Sequence, residues 1–473
     1  MPHAAAAGID MILQLALPVV SAVLGVVLRV GCQVGEVVCS VLKSMGVWEP
    51  LMELITDHRG IFVIIFVLPL SALFDRALEL REWLIHHLYS APELHERRVR
   101  DIQQQVRAAV TAGKTGHGPT RLCTARPGWL SVSMNPRSYK KSSANIHINL
   151  FDILAIVDPA EQDSQQSQEQ ECTSFDKPYV WVEPMVSMGQ ISHFLTPRGW
   201  TLPVTPEMDD LTVGGLLMGV GIETSGHKYG LFNELVLEYE LVLGDGERVI
   251  VTRDNEYADL FHALPWSYGT LGFLASVKLA IIPCKPFVRL RYYPCRKLEK
   301  GVEKFRSLTE GEDDAAKPSF VESLAYSIDD MVVMAGDLVD SVPGGATLNE
   351  IGRFYKPWFY KHVEGILHSG ETMVEEYIPV RDYYHRHTKS IFWELEAIIP
   401  IGNHPLFRYT LGWLVPPKVS FLKLTQTDGM QRAYEELHVA QDMLLPMSSL
   451  GEHLEVFDKL LGIYPLWLCP HKH

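Results

Sequence analysis

The stretch 376–396 (EYIPVRDYYHRHTKSIFWELE) holds the densest group of chemically active side chains in the sequence. It sets phenols, imidazoles and a guanidinium beside aromatic rings, which together can donate protons and stabilise positive charge. If the run is extended, Tyr384 and Arg386 share one face, and the opposite face carries Tyr383, His385 and His387. We name as candidate catalytic residues Tyr383, Tyr384, His385, Arg386 and His387.

A plainer interpretation of the same run is an aromatic core strand that ends in a polar His-Arg-His tip. No side chain here is a conventional nucleophile with a base beside it in the sequence, so the run does not indicate covalent hydrolysis.

A second candidate site is the glycine-rich stretch 206–230 (PEMDDLTVGGLLMGVGIETSGHKYG). Bare backbone lets a planar or anionic group approach closely, and successive N–H groups can surround a pyrophosphate. Thr224 stands where a GxGxxG dinucleotide fingerprint needs its third glycine, so a Rossmann interpretation is weak. The alternative is that the glycines serve tight turns alone. They are Gly214, Gly215, Gly219, Gly221, Gly226 and Gly230.

Three polar residues accompany these glycines. Asp209 and Asp210 are adjacent, and adjacent residues on a strand point to opposite faces, so their carboxylates do not converge on one proton. We predict that they form the turn or cap a helix. For His227 we favour a structural role over a catalytic one.

Composition excludes several function classes. The net charge of −15 over 473 residues gives no basic surface for phosphates, which argues against nucleic acid as a partner. The seven cysteines are widely spaced without a CxxC pair, which predicts reduced thiols facing the cytosol. Zinc-type spacing, HExxH and GxSxG are absent, so we predict neither a metal site nor a serine hydrolase. Small molecules or lipids fit better as partners.

The N-terminal region contains two uncharged apolar runs, 11–28 and 60–74. Each could anchor the chain in a membrane, although the second is short for a span. The alternatives are a signal-peptide core for the first run and a buried core helix for the second. A cluster of arginines follows and predicts that the next domain lies on the cytosolic side. These are Arg76, Arg81, Arg97, Arg98 and Arg100.

Further along, the pattern predicts the elements that position both candidate sites. Residues 76–112 are typical of an amphipathic helical connector with a break at Ala91-Pro92. Short alternating strands begin near Thr120, and the polar segment 158–177 is predicted to be an exposed loop. A helix is expected within 187–199, and a hairpin turns at 244–246. The fold class is therefore α+β, with a second region, rich in aromatic residues, beginning near Pro286.

Taken together, a series of segments resembles the delta(24)-sterol reductases of animals and plants. In order, these segments are VEPMVSMGQI, PEMDDLTVGGLLMGVGIETSGHKYGLF, YELVLGDGERV, DLFHALPWSYGTLGFLASV, YKPWFYKHVE, EYIPVRDYYHRHT, LGWLVPPKVSFLKLTQ and YPLWLCP. The resemblance runs from about residue 60 to 470.

This resemblance implies a flavoprotein of the vanillyl-alcohol oxidase and p-cresol methylhydroxylase type. It implies an N-terminal membrane anchor within 1–75, the helical connector 76–112, a two-subdomain FAD-binding domain at 105–285 and an α+β substrate domain at 286–473. It also implies NADPH as reductant, a sterol substrate, and an endoplasmic reticulum membrane location with the catalytic domain in the cytosol.

Cofactor contacts are carried over onto the matching positions. The loop Arg126, Pro127, Gly128 and Trp129 matches the first flavin loop, and since it has neither His nor Cys nearby, noncovalent FAD is expected. The stretch assigned to FAD matches Ser187, Met188, Gly189, Gln190, Ile191, Ser192, His193, Phe194, Leu195, Thr196, Pro197, Arg198 and Gly199. The long loop along the pyrophosphate and flavin contributes Glu207, Asp209, Asp210, Thr212, the six glycines named above and His227.

The chain departs from the family pattern in three places. The loop 158–177 is longer than expected, and the apolar run before residue 60 leaves one or two membrane passes open. The chain also stops at LWLCPHKH, where family members continue for some tens of residues, so a C-terminally truncated substrate domain is expected.

The implied reaction reduces the delta-24 double bond of a sterol side chain. An isolated alkene is no electrophile, so hydride from the flavin needs an acid partner and shielding of the positive charge that develops. We assign both roles to the cluster at 383–387 with Trp393. The alternatives are an FAD oxidase acting on a sugar or alcohol with oxygen, and a catalytically inactive membrane-tethered scaffold.

Overall fold

The computed structural model describes residues 40–88, 91–126, 138–162, 175–311, 313–423, 427–437 and 443–472. Two five-stranded antiparallel sheets, each with helices packed around it, make up most of this part of the chain. The mixed helix and sheet content that the sequence predicts is confirmed.

The N-terminal helices are α1 (Trp48–Asp57), α2 (Arg59–Phe62), α3 (Leu68–Leu88) and α4 (Ala91–Lys114), with a π-helical turn at Val63–Val67 between α2 and α3. The helices predicted over 76–112 are confirmed, because α3 and α4 cover most of this segment and α4 begins at Ala91. The apolar run 60–74 is helical, and Arg59–Ala77 is long and apolar enough to cross a membrane. The apolar run 11–28 lies outside the described residues.

One face of this apolar helix packs on the rest of the molecule. Val63, Leu68 and Ser71 are fully buried, and a Cβ on Gly60 would lie 2.5 Å from the carbonyl oxygen of Ile398. The opposite face is exposed over Ile61, Ile65, Phe66, Leu70 and Leu73. The helix therefore combines a core-forming face with a bare apolar face.

The region of the first sheet consists of β1 (Leu122–Thr124), β2 (Ala144–Ile146), β3 (Ile153–Val157), α5 (Pro159–Gln162), β4 (Tyr179–Val182), α6 (Met188–Leu195), β5 (Trp200–Thr201), α7 (Val213–Met218), α8 (Gly226–Tyr229), β6 (Val236–Val242), β7 (Arg248–Val251), α9 (Ala258–Ala263), β8 (Phe273–Ala280) and β9 (Ile282–Pro283). The sheet has the strand order β3-β4-β8-β6-β7 and is antiparallel throughout.

Local sequence signals account for several of these elements. The predicted hairpin is confirmed as β6 and β7, and Gly246 adopts a φ of +86° in its turn, which favours glycine. Ser187 and Gln190 form a reciprocal capping box that starts α6. Of the predicted loop 158–177, the part 163–174 lies outside the described residues, and α5 forms just before it.

The region of the second sheet consists of β10 (Phe287–Cys295), α10 (Leu298–Thr309), β11 (Phe320–Ala325), β12 (Met331–Val339), α11 (Phe359–Leu367), β13 (Val374–Pro379), α12 (Val380–Tyr384), α13 (Glu394–Ile398), α14 (Pro405–Thr410), α15 (Val419–Leu422), α16 (Asp428–Leu437), α17 (Leu450–Leu460) and β14 (Leu466–Leu468). This sheet has the strand order β13-β10-β12-β11-β14 and is also antiparallel.

The glycine-rich stretch runs against the second sheet. The amide of Val321 on β11 donates to the carbonyl of Thr224 at 2.9 Å, and the amide of Lys472, just after β14, donates to the carbonyl of Gly226 at 3.0 Å. Both candidate sites of the sequence therefore meet where the two regions join.

Candidate active site

The candidate catalytic cluster is built on a short helix. Pro379, with a φ of −53°, closes β13, and α12 follows at once over Val380–Tyr384. The amide of His385 then donates to the carbonyl of Arg381 at 3.2 Å. The expectation of an extended run with alternating faces is wrong, because side chains on helical turns fan out around the axis.

Arg386 lies at the centre of the cluster and is buried. Its Nε and Nη2 donate to Glu322 Oε1 and Oε2 at 2.9 Å each, and Nη2 also donates to Glu223 Oε1 at 3.0 Å. This two-pronged geometry is the one in which a guanidinium best matches a carboxylate. Burial works against the charge, but Glu322 and the neighbouring groups outweigh it and raise the pKa of Arg386, which stays protonated.

The two tyrosines are almost fully buried beside this ion pair. The guanidinium of Arg386 lies 4.4 Å from the centroid of the Tyr383 ring, and the Tyr383 hydroxyl is 3.4 Å from Thr224 Oγ1. Thr201 Oγ1 donates to the hydroxyl of Tyr384 at 2.9 Å. Burial raises the pKa of both phenols well above the usual range, so both are neutral.

The two histidines have different surroundings. His385 Nδ1 lies 3.2 Å from the carbonyl oxygen of Glu207 and 3.1 Å from Asp209 Oδ1, while Nε2 is 2.6 Å from Ser192 Oγ. Burial lowers the pKa of His385. His387 is stacked on Phe392 and is neutral at pH 7, because burial lowers its pKa to about 4.

Helix α6 supplies part of the site wall. Ser192 reaches His385, and Gly189 lies against the Asp209 side chain, so that a Cβ there would be 2.6 Å from Oδ1. The predicted end of this helix is confirmed, since Thr196–Arg198 forms one 3-10 turn and Gly199 follows with a φ of +78°. The other members of this stretch provide the capping box, the buried helix face and its exposed end: Ser187, Met188, Gln190, Ile191, His193, Phe194, Leu195, Thr196, Pro197 and Arg198.

The adjacent aspartates diverge, as the sequence predicts. Asp209 faces His385 and lies 3.8 Å from Arg381 Nη2. Asp210 pairs instead with Lys418, which also binds Asp75 on the apolar helix at 2.8 Å. The glycine-rich stretch is thereby linked on one side to the catalytic cluster and on the other to the N-terminal helix.

Several glycines are required by close packing. A Cβ on Gly221 would lie 2.6 Å from Phe232 Cβ, one on Gly214 would lie 2.9 Å from Pro184 Cβ, and one on Gly226 would lie 2.7 Å from the carbonyl oxygen of Pro470. Gly230 adopts a φ of +77°. The stretch also contains Thr212, the residue before α7, together with Gly215 and Gly219 on that helix and at its end.

His227 has a structural environment. Its Nε2 bonds to the carbonyl of Pro318 at 2.9 Å, and burial lowers the pKa of its imidazole. It fastens the glycine-rich stretch to the segment before β11.

The main chain of this region fits an anionic or planar ligand. Residues 204–208 are buried, and the amides of 204, 205 and 208 donate to no described residue. The amides of 220–223 likewise have no acceptor in the described part of the chain. Buried amides are rarely without an acceptor, and a bound ligand is one explanation of those that have none among the described residues. They suit the pyrophosphate and ring edges of a flavin nucleotide.

The predicted first flavin loop is described only at its start. Arg126 Nη1 lies 3.9 Å from Met185 Sδ, and the carbonyl of Arg126 accepts from Lys140 Nζ at 2.6 Å. Pro127, Gly128 and Trp129 lie outside the described residues. Among the described residues, no group of three or more His, Cys, Asp or Glu side chains is arranged to hold a metal ion.

Sequence analysis missed several residues of the site. Glu223 and Glu322 bind Arg386, and Trp467 Nε1 donates to Glu322 Oε2 at 2.8 Å. The half-buried Cys469 lies near the same cluster. One signal was available, because Glu322 is the single charged residue in the apolar strand FVESLA, and a buried charge needs a partner.

Comparisons with known proteins first define the class. Residues 168–252 match the family model of an FAD binding domain. This range includes the whole glycine-rich stretch, α6 and the β6-β7 hairpin, so the chain contains an FAD-binding domain of mixed helix and sheet.

The family follows from longer matches. The chain is 50% identical to the mouse Delta(24)-sterol reductase over 434 residues, which cover 92% of this chain and 79% of that protein. It is 39% identical to the Delta(24)-sterol reductase of Arabidopsis thaliana over 431 residues, which cover 89% of this chain and 72% of that protein. Cytokinin dehydrogenase 3 of the same plant matches only 29% of this chain, at 30% identity. The chain belongs to the delta(24)-sterol reductase family.

Proposed function

We propose that the protein is an FAD-dependent, NADPH-consuming reductase of the delta-24 double bond in sterol side chains. The observation that supports this most directly is the join between the two regions. There, the buried cluster around Arg386 contacts the loop 204–230, which we call the cofactor loop; its amides at 204, 205, 208 and 220–223 have no acceptor among the described residues. Family membership at 50% identity supports the same reaction.

FAD would be held noncovalently by the glycine-rich stretch and α6. The unpartnered amides would donate to the pyrophosphate and flavin, while Ser192 and Gly189 line the side nearest His385. We assign residues 105–285 to an FAD domain of the p-cresol methylhydroxylase type and residues 286–473 to the substrate domain. The bound cofactor supplies hydride, and NADPH restores it.

The cluster at 383–387 would bind and orient the sterol side chain and keep water from it. Tyr383, Tyr384 and the stacked pair His387 and Phe392 form an aromatic wall beside a fixed guanidinium. Aromatic faces stabilise adjacent positive charge by about 0.5 to 2 kcal/mol each. Such a wall favours the positive charge that develops on the more substituted alkene carbon.

The apolar helix Arg59–Ala77 would bring this site to a membrane. Ile65, Phe66 and Leu73 are exposed on it, and α3 contacts the turn Gly412–Leu414, where Trp413 is exposed. Amphipathic aromatic rings favour the membrane interface. A sterol partitions into the bilayer, so a tethered site can collect it there. We assign the protein to the endoplasmic reticulum membrane with its catalytic region in the cytosol.

The test uses the purified full chain in detergent with FAD, NADPH and desmosterol. A reductase shows flavin absorption near 450 nm, consumes NADPH only with sterol present, and forms the saturated side chain. Peroxide release with a sugar or alcohol would instead indicate an FAD oxidase. Protein that binds no flavin would indicate an inactive scaffold.

A further inference from the structure

Two carboxylates, those of Glu322 and Glu223, accept from the guanidinium of Arg386 at the centre of the site, and a third buried carboxyl, that of Glu207, lies beside Glu223. Glu207, Glu223 and Glu322 are 6%, 2% and 0% exposed, and Arg386 is 3% exposed. Three buried carboxylates beside one cation would leave uncompensated negative charge in a low-dielectric interior, which costs several kcal/mol per ion. One of the three is therefore expected to carry a proton.

Glu322 is the carboxylate that stays ionised. Both of its oxygens accept from Arg386, and Oε2 also accepts from Trp467 Nε1. Burial alone would raise its pKa, but Arg386 and the other donors outweigh burial and lower the pKa of Glu322 to about 2. Glu322 therefore compensates most of the positive charge of Arg386.

Glu223 and Glu207 form the remaining pair. Glu223 Oε1 accepts from Arg386 and from the amide of Thr224, while its buried Oε2 has no donor. The Glu207 carboxyl is its hydrogen-bonding neighbour. Burial first, and then the charge of Glu223, raises the pKa of Glu207 well above its usual range. A proton on Glu207 lowers the uncompensated charge of the cluster from two negative charges to one and gives the bare oxygen of Glu223 a donor.

We propose that Glu207 is the catalytic acid, and that it shares its proton with Glu223 until the proton passes to the sterol alkene. This rests on the proposed function. The proton donor is then Glu207 in the cofactor loop and not a residue of the 383–387 cluster. The main chain of Glu207 is fixed for this purpose. Its carbonyl accepts from Thr388 Oγ1 at 2.9 Å and from His385 Nδ1 at 3.2 Å.

The neighbouring groups are poorer acids. Tyr383 and Tyr384 have phenols with raised pKa values, and His385 is neutral with its Nδ1 hydrogen directed at a carbonyl. We infer that these residues position Glu207 and line the wall, whereas Glu207 gives up the proton.

The step balances in atoms and electrons. The π electrons of the alkene take the proton from the Glu207 carboxyl and form a C–H bond at the less substituted carbon. Hydride supplied by the cofactor would form the C–H bond at the other, more substituted carbon, and NADPH is oxidised to NADP⁺. Glu207 is left as a carboxylate beside Glu223, and this repulsion favours recovery of a proton from water.

The test compares Glu207→Gln, Glu223→Gln and Glu350→Gln in FAD-loaded protein. Glu350 is a matched control, because its pair with Arg353 is exposed and lies outside the site. Glu207→Gln should lower single-turnover oxidation of the reduced flavin by desmosterol at least about 100-fold, the usual range for a general acid. In the same variant, the rate at which NADPH reduces the flavin should stay within twofold of the wild-type rate. Unchanged sterol reduction in Glu207→Gln overturns the proposal.

Infrared spectroscopy gives a readout that does not depend on turnover. Wild-type protein at pH 7 should show the carbonyl stretch of a buried protonated carboxyl, which shifts in D2O and is missing in Glu207→Gln. Glu223→Gln should lower the pH at which that band disappears. If Glu207→Gln does not fold, the pH titrations of the infrared band in wild type and in Glu223→Gln replace it. The proposal is overturned if wild type shows no protonated carboxyl at pH 7, or if the band disappears at the same pH in both proteins. A band without sterol turnover in wild type would contradict the proposed function and leave the shared proton in place.

Discussion

Arg386 and Glu322 form a completely buried, two-pronged ion pair between a turn after α12 and the centre of β11. The residues are 64 positions apart in sequence. Through Glu223 the same guanidinium reaches the glycine-rich stretch, so one side chain ties the second sheet to the cofactor loop.

Replacing Arg386 should damage both stability and cofactor binding. Arg386→Met leaves Glu322 and Glu223 buried without their cation, which should lower the free energy of unfolding by about 3 to 5 kcal/mol. Thermal unfolding and retained flavin absorption measure this. Arg353→Met, which removes an exposed arginine, is the control and should change stability by less than about 0.5 kcal/mol. Equal stability of the two variants would contradict the role of the pair.

His95 should make stability depend on pH. It lies buried between Glu183 and Glu240, at 2.8 Å from each, and joins α4 to the first sheet. Burial opposes its charge, but these hydrogen bonds outweigh it and raise the pKa of His95 to about 9. The folded pKa exceeds the unfolded value of about 6.5, so the contribution is complete below that pH and is lost as pH rises through 9.

The size of this effect is about 3 kcal/mol, and denaturant unfolding between pH 6 and 10 measures it. His95→Gln should flatten the pH dependence and lower stability at pH 6. His117→Gln, at an exposed position, should leave the profile as in wild type. A wild-type profile without a decline above pH 7 would argue against a buried imidazolium.

Gly221 should tolerate no side chain. In Gly221→Ala the new Cβ meets Phe232 Cβ at 2.6 Å and Leu216 Cδ2 at 3.2 Å, so the loop must shift, at a cost of about 1 to 3 kcal/mol. Flavin content after purification should fall. Gly244→Ala is the matched control, because no atom lies within 4 Å of its new Cβ. Full flavin content in Gly221→Ala would show that this packing does not shape the cofactor loop.

Lys418 should hold the apolar helix to the cofactor loop. It bridges Asp75 and Asp210, and its amide donates to Ser71 Oγ at 3.0 Å. Lys418→Met leaves two carboxylates facing each other and should lower stability in detergent by about 1 to 3 kcal/mol, with faster proteolysis around 59–77. Lys285→Met breaks only the exposed pair with Asp340 and should behave as wild type. Equal rates of proteolysis in both variants would show that Lys418 does not hold the apolar helix to the cofactor loop.

The parts of the fold that depend on neighbouring residues were predictable from the sequence. The hairpin follows from Gly244-Asp245-Gly246, and α6 begins where Ser187 and Gln190 cap each other. The glycine-rich stretch indicated from the sequence where to expect a cofactor loop, although the close contacts of Gly221 appear only once Phe232 is placed.

The charge balance of the site was not predictable in this way. The pairing of Arg386 with Glu322 depends on which strand of the second sheet lies beside α12, and a single sequence does not contain that register. The helix at 380–384 was also missed, because an aromatic run of that length suits a strand as well as a helix.

The most direct test of the account is sterol conversion by the chain itself. Microsomes that carry it are incubated with desmosterol and NADPH, with and without added FAD, and their sterols are analysed against microsomes that lack it. We predict loss of the delta-24 double bond that requires NADPH and increases with FAD. Intact desmosterol in microsomes whose protein binds FAD would contradict the account.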